Sequence, residues 1–315
     1  MKKFYVFAAV AIAALASCTK SEVVYNQGQQ EIGFRQFTGS MTKADPSTSP
    51  LPTTTSMGVF SYLNGTETAY FENAKFVNKS GTDKWGGDTP YYWPLQGTLD
   101  FVLYAPHQAS GVTYTPRIKV LNVTIADNSG ETQTDYLYGK DFYVNTSKPA
   151  TPSDGVPVIL KHALSKVTIA AKANADSIFT VSSIKLMQTT QEGSYTVTYN
   201  TTDDDFTSVV TGSPTAAKKD MDYVSSAWNL TTEFTANSAS KLVVPSAQTS
   251  IVLKYKMAGS TTELTATVDL SSGSARWETG KHYTYNLTLT ADEILFVPTV
   301  EDWDNQTASK KEVKN

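Results

Sequence analysis

The residue with the most specific chemistry in the sequence is Cys18, the only cysteine among 315 residues. It ends the sequence Leu-Ala-Ser-Cys (15–18), which resembles a lipobox, the motif in which a cysteine thiol is acylated after signal cleavage. A positive start at residues 2–3 and an apolar run over 4–16 precede it, and this run is too short to span a bilayer. We therefore predict signal cleavage between Ser17 and Cys18, and lipidation of Cys18.

Acylation of this cysteine would fix the location of the protein. Each buried methylene of an acyl chain contributes about 0.8 kcal/mol, so several chains hold a protein stably on a membrane. We expect residues 1–17 to be a lipoprotein signal peptide and the polar residues 18–30 to be a tether. The expected location is the cell surface of a Gram-negative bacterium, at the outer membrane.

The remaining reactive side chains form no recognisable catalytic or metal-binding motif. His107, His162 and His282 do not occur in an HExxH or His-x-His arrangement. The aspartates at 203–205 lack the alternating spacing of a calcium loop. The sequence also contains no GxSxG elbow, P-loop or dinucleotide-binding glycine pattern. We predict no catalytic site, no metal and no cofactor, and therefore not an enzyme.

An aromatic cluster offers one further kind of chemistry. Trp85, Tyr91, Tyr92 and Trp93 could form a platform on which sugar rings stack. The alternative is a strand whose aromatic side chains are buried, and we favour it because aromatic residues at strand positions usually bury large areas.

The elements that position these residues are predicted to be β-strands. Short alternating runs bounded by Gly, Asn, Asp and Pro recur through the chain, which is typical of all-β sandwiches. The length favours two domains, and the Pro-containing segment 148–155 is the predicted boundary between residues 31–150 and 156–303. The net charge of −4 argues against nucleic-acid binding.

Several segments of the mature chain together resemble the fimbrillin family, the type V pilins, in its Mfa-like branch. They occur in the order in which that family has them, behind a lipobox. The segments are 91–106, 134–141, 156–169, 277–290 and 294–303.

The resemblance implies two transthyretin-like β-sandwich domains in tandem and a mechanism of assembly. In that family a trypsin-like protease cuts the loop after the first strand. The strand then departs, and its departure exposes an apolar groove. A donor strand from another pilus subunit fills the groove by β-strand addition. Here the removable strand is EIGFRQF (31–37), with Ile32 and Phe34 as its groove-filling side chains. Lys43 occupies the position of the cut, whereas Arg35 is a poorer candidate because it lies inside the strand.

The C-terminal tail departs from the pattern of shaft subunits. Residues 304–315 are polar and contain one aliphatic side chain, so they lack the alternation that a donor strand needs. The sequence thus favours a subunit that accepts a strand but donates one poorly. We predict an accessory, tip or minor fimbrial subunit in cell-surface adhesion, with a possible host or bacterial surface ligand. The alternatives are a pilus anchor subunit and a glycan-binding outer-membrane lipoprotein.

Overall fold

The computed structural model describes most of the chain between residues 29 and 303, and Cys18, Lys43 and the tail 304–315 lie outside the described residues. The described ranges are 29–38, 51–64, 66–79, 84–139, 143–148, 155–176, 178–199, 206–212, 216–224, 226–271, 276–290 and 294–303.

All regular secondary structure in these ranges is β-strand, and the predicted all-β fold class is confirmed. The strands of the N-terminal half are β1 (Gly33–Thr38), β2 (Met57–Leu63), β3 (Ala69–Asn78), β4 (Lys84–Gly87), β5 (Leu99–Ala105), β6 (Val112–Thr115), β7 (Val120–Ile125), β8 (Leu137–Gly139) and β9 (Tyr143–Thr146). Those that follow are β10 (Val156–His162), β11 (Ser165–Ala173), β12 (Phe179–Thr189), β13 (Gly193–Tyr199), β14 (Phe206–Gly212), β15 (Lys219–Val224), β16 (Trp228–Asn229), β17 (Lys241–Val243), β18 (Ser250–Met257), β19 (Leu264–Asp269), β20 (Lys281–Leu289) and β21 (Ile294–Asp302).

Seven strands of the first sheet form a closed ring, which we call the ring sheet. Around the ring the order is β2-β3-β4-β1-β10-β8-β5, and pairing of β5 with β2 closes it. β9 pairs with Leu99 and Phe101 of β5, on the same edge of β5 that β8 occupies at Tyr104 and Ala105. The interior is filled by one apolar cluster that includes Phe34, Phe76 and Phe101.

A second sheet covers the outside of the ring sheet. It has the order β14-β13-β7-β6, and we call it the cover sheet. Tyr62 of β2 and Tyr104 of β5 pack against Tyr195 and Val197 of β13 in a shared apolar cluster. β2 and β5 are therefore buried on both faces, which explains why their sequences are almost continuously apolar rather than alternating.

The C-terminal part contains two further sheets packed on each other. One has the order β17-β11-β20-β21 and the other β15-β12-β18-β19, with β16 attached to β12. In β20 the residues alternate between buried and half-buried, because one face of the sheet meets the opposite sheet. Tyr283, Tyr285 and Leu287 belong to the large cluster between the sheets.

The strand pairings cross the predicted boundary at 148–155. β10 follows this segment in the chain but lies in the ring sheet, where Val156, Val158 and Leu160 face the interior. β13 and β14 also come after it, yet β13 pairs with β7 in the cover sheet. The prolines of the segment predict a loop but do not say with which sheet the next strand pairs. The tandem transthyretin-like arrangement stays a prediction. Strands from both sides of the segment 148–155 belong to the same sheets, so this segment does not separate the sheets of the two halves.

Candidate functional site: the position of β1 in the ring sheet

The first strand of the described chain is a central strand of the ring sheet. β1 runs parallel to β10, with residues 34–38 in register with 156–160. It also pairs antiparallel with β4, where Gly33 is opposite Gly86 and Arg35 is opposite Lys84. Loss of β1 would therefore leave two strands without a neighbour on that side, and such edges readily accept another strand.

The side chains of Ile32 and Phe34 lie inside the ring. Both are 0 % exposed. The Phe34 ring makes edge-to-face contacts with Phe76 and Phe101, at centroid separations of 5.0 and 5.1 Å. Burial of each such side chain contributes about 1.5–3 kcal/mol, so β1 contributes to the stability of the ring through its side chains as well as its backbone.

The residues before β1 are held by a short antiparallel contact with the aromatic segment. The Ile32 amide donates to the Tyr91 carbonyl at 2.7 Å, and the Trp93 amide donates to the Gln30 carbonyl at 2.9 Å. The Tyr70 hydroxyl donates to the Tyr92 carbonyl at 2.7 Å. Burial raises the pKa of Tyr70 and of Tyr91 above the usual value of a phenol, so both hydroxyls stay neutral at physiological pH.

Gly155 lets the backbone of β1 approach β10 closely. Its φ of +56° lies in the left-handed region that favours glycine. A Cβ atom at this position would lie 3.1 Å from the Phe34 carbonyl carbon and 3.3 Å from the Arg35 nitrogen. A side chain at residue 155 would thus press on the backbone of β1.

A pocket of about 170 Å³ opens beside β1 on the outer side of the ring. Gly33 leaves it open because it has no side chain, and Trp85, Gly86, Lys79, Lys84 and Glu31 are among the residues that line it. A Cβ atom on Gly33 would meet only the Trp85 carbonyl oxygen, at 3.4 Å, which is an ordinary contact distance.

Comparison with known protein families identifies the chain. A family model described as fimbrillin-like matches residues 42–303, which is most of the sequence. The chain belongs to the fimbrillin-like family. The predicted resemblance is confirmed, and the chain is a structural subunit of cell-surface fimbriae rather than an enzyme.

Solved structures of similar fold agree with this family. A fimbrial protein from Bacteroides vulgatus has a TM-score of 0.57 at 15 % identity, covering 87 % of this chain and 99 % of that chain. A candidate cell adhesion protein from Bacteroides uniformis has a TM-score of 0.56 at 19 % identity, covering 88 % and 99 %. At these identities the similarity shows a shared fold alone. A comparison with curated proteins found no match.

The residues predicted for maturation of this fimbrillin-like chain fall partly outside the described structure. Cys18 and Lys43 both do, so lipidation and cleavage stay predictions. Arg35 is described, and its backbone is in register with Lys84 on one side and Pro157 on the other. A paired, half-buried strand residue is a poor protease substrate.

The aromatic cluster of this fimbrillin-like protein is largely internal. Trp85 and Trp93 are 1 % and 2 % exposed, and Trp93 packs edge-on against Phe101 at 5.8 Å. They therefore do not form the exposed, coplanar stacking platform that the glycan-binding alternative requires.

The three histidines lie apart and serve different neighbours. His107 contacts the Asn73 carbonyl at 3.2 Å, His162 pairs with Asp135, and His282 lies between Thr168 and Glu301. Within the described residues, no group of three or more His, Cys, Asp or Glu could hold a metal ion. The same residues contain no helix long and apolar enough to cross a bilayer.

Two features of the site were missed by the sequence analysis. The segment 148–155 is predicted only to be a domain boundary, although the glycine that ends it, directly before a strand, is also a signal of close backbone approach. The pocket beside Gly33 could not be found from the sequence, because Lys79, Lys84 and Gly86 come from another part of the chain.

Proposed function

We propose that the protein is an accessory, tip or minor subunit of a fimbrium that becomes competent for assembly when β1 is released. Acylated Cys18 tethers the precursor to the outer membrane through residues 18–30. Cleavage at Lys43 then separates β1 from the rest of the chain. A donor strand of another pilus subunit enters between β4 and β10.

The position of β1 is the observation that supports this proposal best. It is central in the ring sheet and carries two fully buried apolar side chains, yet it is followed in sequence by a Thr-, Ser- and Pro-containing segment with a lysine. One cut in that segment makes β1 a separate peptide. That peptide has five registered residues with β10 and three with β4, and after the cut no covalent bond holds it there.

The role as an acceptor rests on the C-terminal residues. The tail 304–315 is polar and would fill almost no pockets of a groove. A subunit at the tip needs only to accept a strand. The anchor alternative differs in that the precursor would keep β1 and its lipid.

The test is exchange of β1 after a controlled cut. The full mature chain carries a site for a sequence-specific protease in place of residues 41–46 and a fluorophore near residue 20. After cleavage, a labelled strand peptide from a shaft subunit should displace the β1 fragment, whereas the uncut protein should exchange nothing. Retention of the fragment with no exchange would contradict the proposal and favour an anchor. Long fibres of this chain alone would identify a shaft subunit instead.

A further inference from the structure

The pocket beside Gly33 is a part of the β1 position that the described side chains of β1 leave empty. Ile32 and Phe34 are both 0 % exposed and belong to the apolar cluster inside the ring. On the opposite face of the strand, Gly33 places no atoms in the cavity of about 170 Å³. The fit of β1 is therefore good on its inner face and incomplete on its outer face.

One wall of this pocket suits an aliphatic side chain. Over Gly86, an added Cβ atom would meet Lys79 Cε at 2.8 Å and Cγ at 3.2 Å, and also the Glu31 carboxylate oxygen at 3.2 Å, which belongs to the segment that leaves with β1. The ammonium group of Lys79 is directed away and donates to the Gly87 carbonyl at 2.8 Å. The methylenes of the lysine, rather than its charge, are thus available to an occupant.

We propose that this pocket is a specificity site for the incoming strand, and that the occupant is a partner subunit's segment with the pattern aliphatic–branched aliphatic–aromatic. The segment runs parallel to β10, as β1 does. Its first and third side chains take the places of Ile32 and Phe34, and its second fills the pocket beside Gly33. This inference rests on the proposed strand exchange. It explains why the partner's strand would replace β1 rather than the reverse, because β1 leaves the pocket empty and the partner's strand fills it.

The chain itself supplies a probe with this pattern. Residues 293–299 have the sequence EILFVPT, which matches EIGFRQF (31–37) at the glutamate, the isoleucine and the aromatic residue. Leu295 stands where β1 has Gly33. In the folded chain this segment is not a free donor, because β21 is registered with β20 over nine residue pairs. A partner subunit is therefore the expected source of the strand, and the EILFVPT peptide is a convenient stand-in.

The test uses the cleavable chain described above and three synthetic peptides. They are residues 293–299, the same peptide with Leu295→Ala, and the same peptide with Leu295→Glu. Alanine rather than glycine is the reference, because glycine would also change the flexibility of the free peptide. Each peptide competes with labelled EIGFRQF for the cut protein.

We expect the leucine peptide to bind about 10-fold more tightly than the alanine peptide, which corresponds to partial burial of one aliphatic side chain. Equal binding of the two would overturn the pocket assignment and leave strand exchange intact. Tightest binding of the glutamate peptide would show a site for carboxylates and overturn it as well. Failure of every peptide, EIGFRQF included, would overturn the proposed function on which the inference rests.

The same pocket can be filled from within the intact chain. Gly33→Leu should slow release of the β1 fragment after cleavage by about 10-fold relative to Gly33→Ala. Faster release of the leucine variant would mean that the pocket does not accept an aliphatic side chain. Electron microscopy of the cut protein alone completes the test. Fibres built from this chain only would mean that a second copy of the chain supplies the strand, and they would overturn the assignment to a partner subunit.

Discussion

Trp303 stacks face to face on His162, with ring centroids 3.6 Å apart and planes 6° from parallel. Trp303 directly follows β21, and His162 is the last residue of β10. His162 is held in place by Asp135, whose carboxylate lies 2.9 Å from the imidazole Nδ1. The Trp303 amide donates to the Gly280 carbonyl at 2.7 Å. The end of the C-terminal sheet is thus fastened to a strand of the ring sheet.

Removal of this stack should loosen the C-terminal end of β21. We expect Trp303→Ala to lower the free energy of unfolding by about 1–3 kcal/mol, since an aromatic pair contributes about 0.5–1.5 kcal/mol beyond the area that it buries. Trp303→Phe keeps a ring over His162 and should cost less. Urea denaturation measures both, and equal losses in the two variants would show that stacking is not the source of the stability.

Phe34→Ala tests whether β1 is part of the native core before any cleavage. A cavity between Phe76 and Phe101 should cost about 3–5 kcal/mol of unfolding free energy. Leu95→Ala is the control, because Leu95 is 78 % exposed and its truncation should change little. A small effect of Phe34→Ala would mean that the uncut protein already tolerates an unfilled ring.

Gly155→Ala should weaken the pairing of β1 with β10 and lower the free energy of unfolding. Two costs add here, because the substitution strains a positive φ and also presses on the β1 backbone. Gly97→Ala is a matched control with a φ of +89° and no atom within 4 Å of the added Cβ. We expect Gly155→Ala to lose more unfolding free energy than Gly97→Ala, by about 1 kcal/mol or more. Equal losses of unfolding free energy in the two variants would mean that backbone strain accounts for the whole effect and that contact with β1 contributes nothing.

Protonation of His282 should make stability depend on pH. Burial, and then the charge of Lys166, lower its pKa below the value of 6.5 for a free histidine, although Glu301 acts in the opposite direction. The unfolded chain then binds the proton more readily than the folded chain does. Stability contributed by the neutral histidine is complete above pH 6.5 and is lost as the pH falls through the folded pKa. His282→Gln should reduce the slope of unfolding free energy against pH below 6.5, and an unchanged slope would contradict this.

Lipidation at Cys18 is tested by localisation. Cys18→Ala should leave unprocessed precursor in the inner membrane or misdirect the protein, because no thiol remains to be acylated. Ser21→Ala, in the predicted tether, should be processed normally. Fractionation with immunoblotting measures both, and normal outer-membrane sorting of the alanine variant would exclude the anchor.

The sequence predicted the inner face of β1 but not its surroundings. Alternation in EIGFRQF is enough to place Ile32 and Phe34 on one face, because the side-chain period of a strand is two. The neighbours of that strand are set by pairings with distant segments, which alternation does not encode. β10 was therefore assigned to the second domain, although its own alternating valines fit the interior of the ring sheet.

The C-terminal half shows the same difference between local and distant information. The alternating runs of the sequence predict strands here, and Tyr283, Tyr285 and Leu287 of β20 are the buried residues of such a run. The stack of Trp303 on His162 was not predicted, because the two residues are 141 positions apart and nothing in either segment specifies the other. For a site built from several segments, the sequence predicts which side chains of each strand share a face, but not which strands come together.

β10 and β11 are separated by Ala163 and Leu164 alone, so one nearly continuous run of chain passes from the ring sheet into the C-terminal sheet. β10 pairs in parallel with β1, and β11 pairs in parallel with β20. Under the strand exchange proposed above, a fibre under tension would pull on the strand in the place of β1. That load would pass from β10 into β11 with no flexible linker between them. Because the force would act along both strands, it would load many interstrand hydrogen bonds in shear at the same time, rather than breaking them one after another. The arrangement suits a subunit that must carry mechanical force.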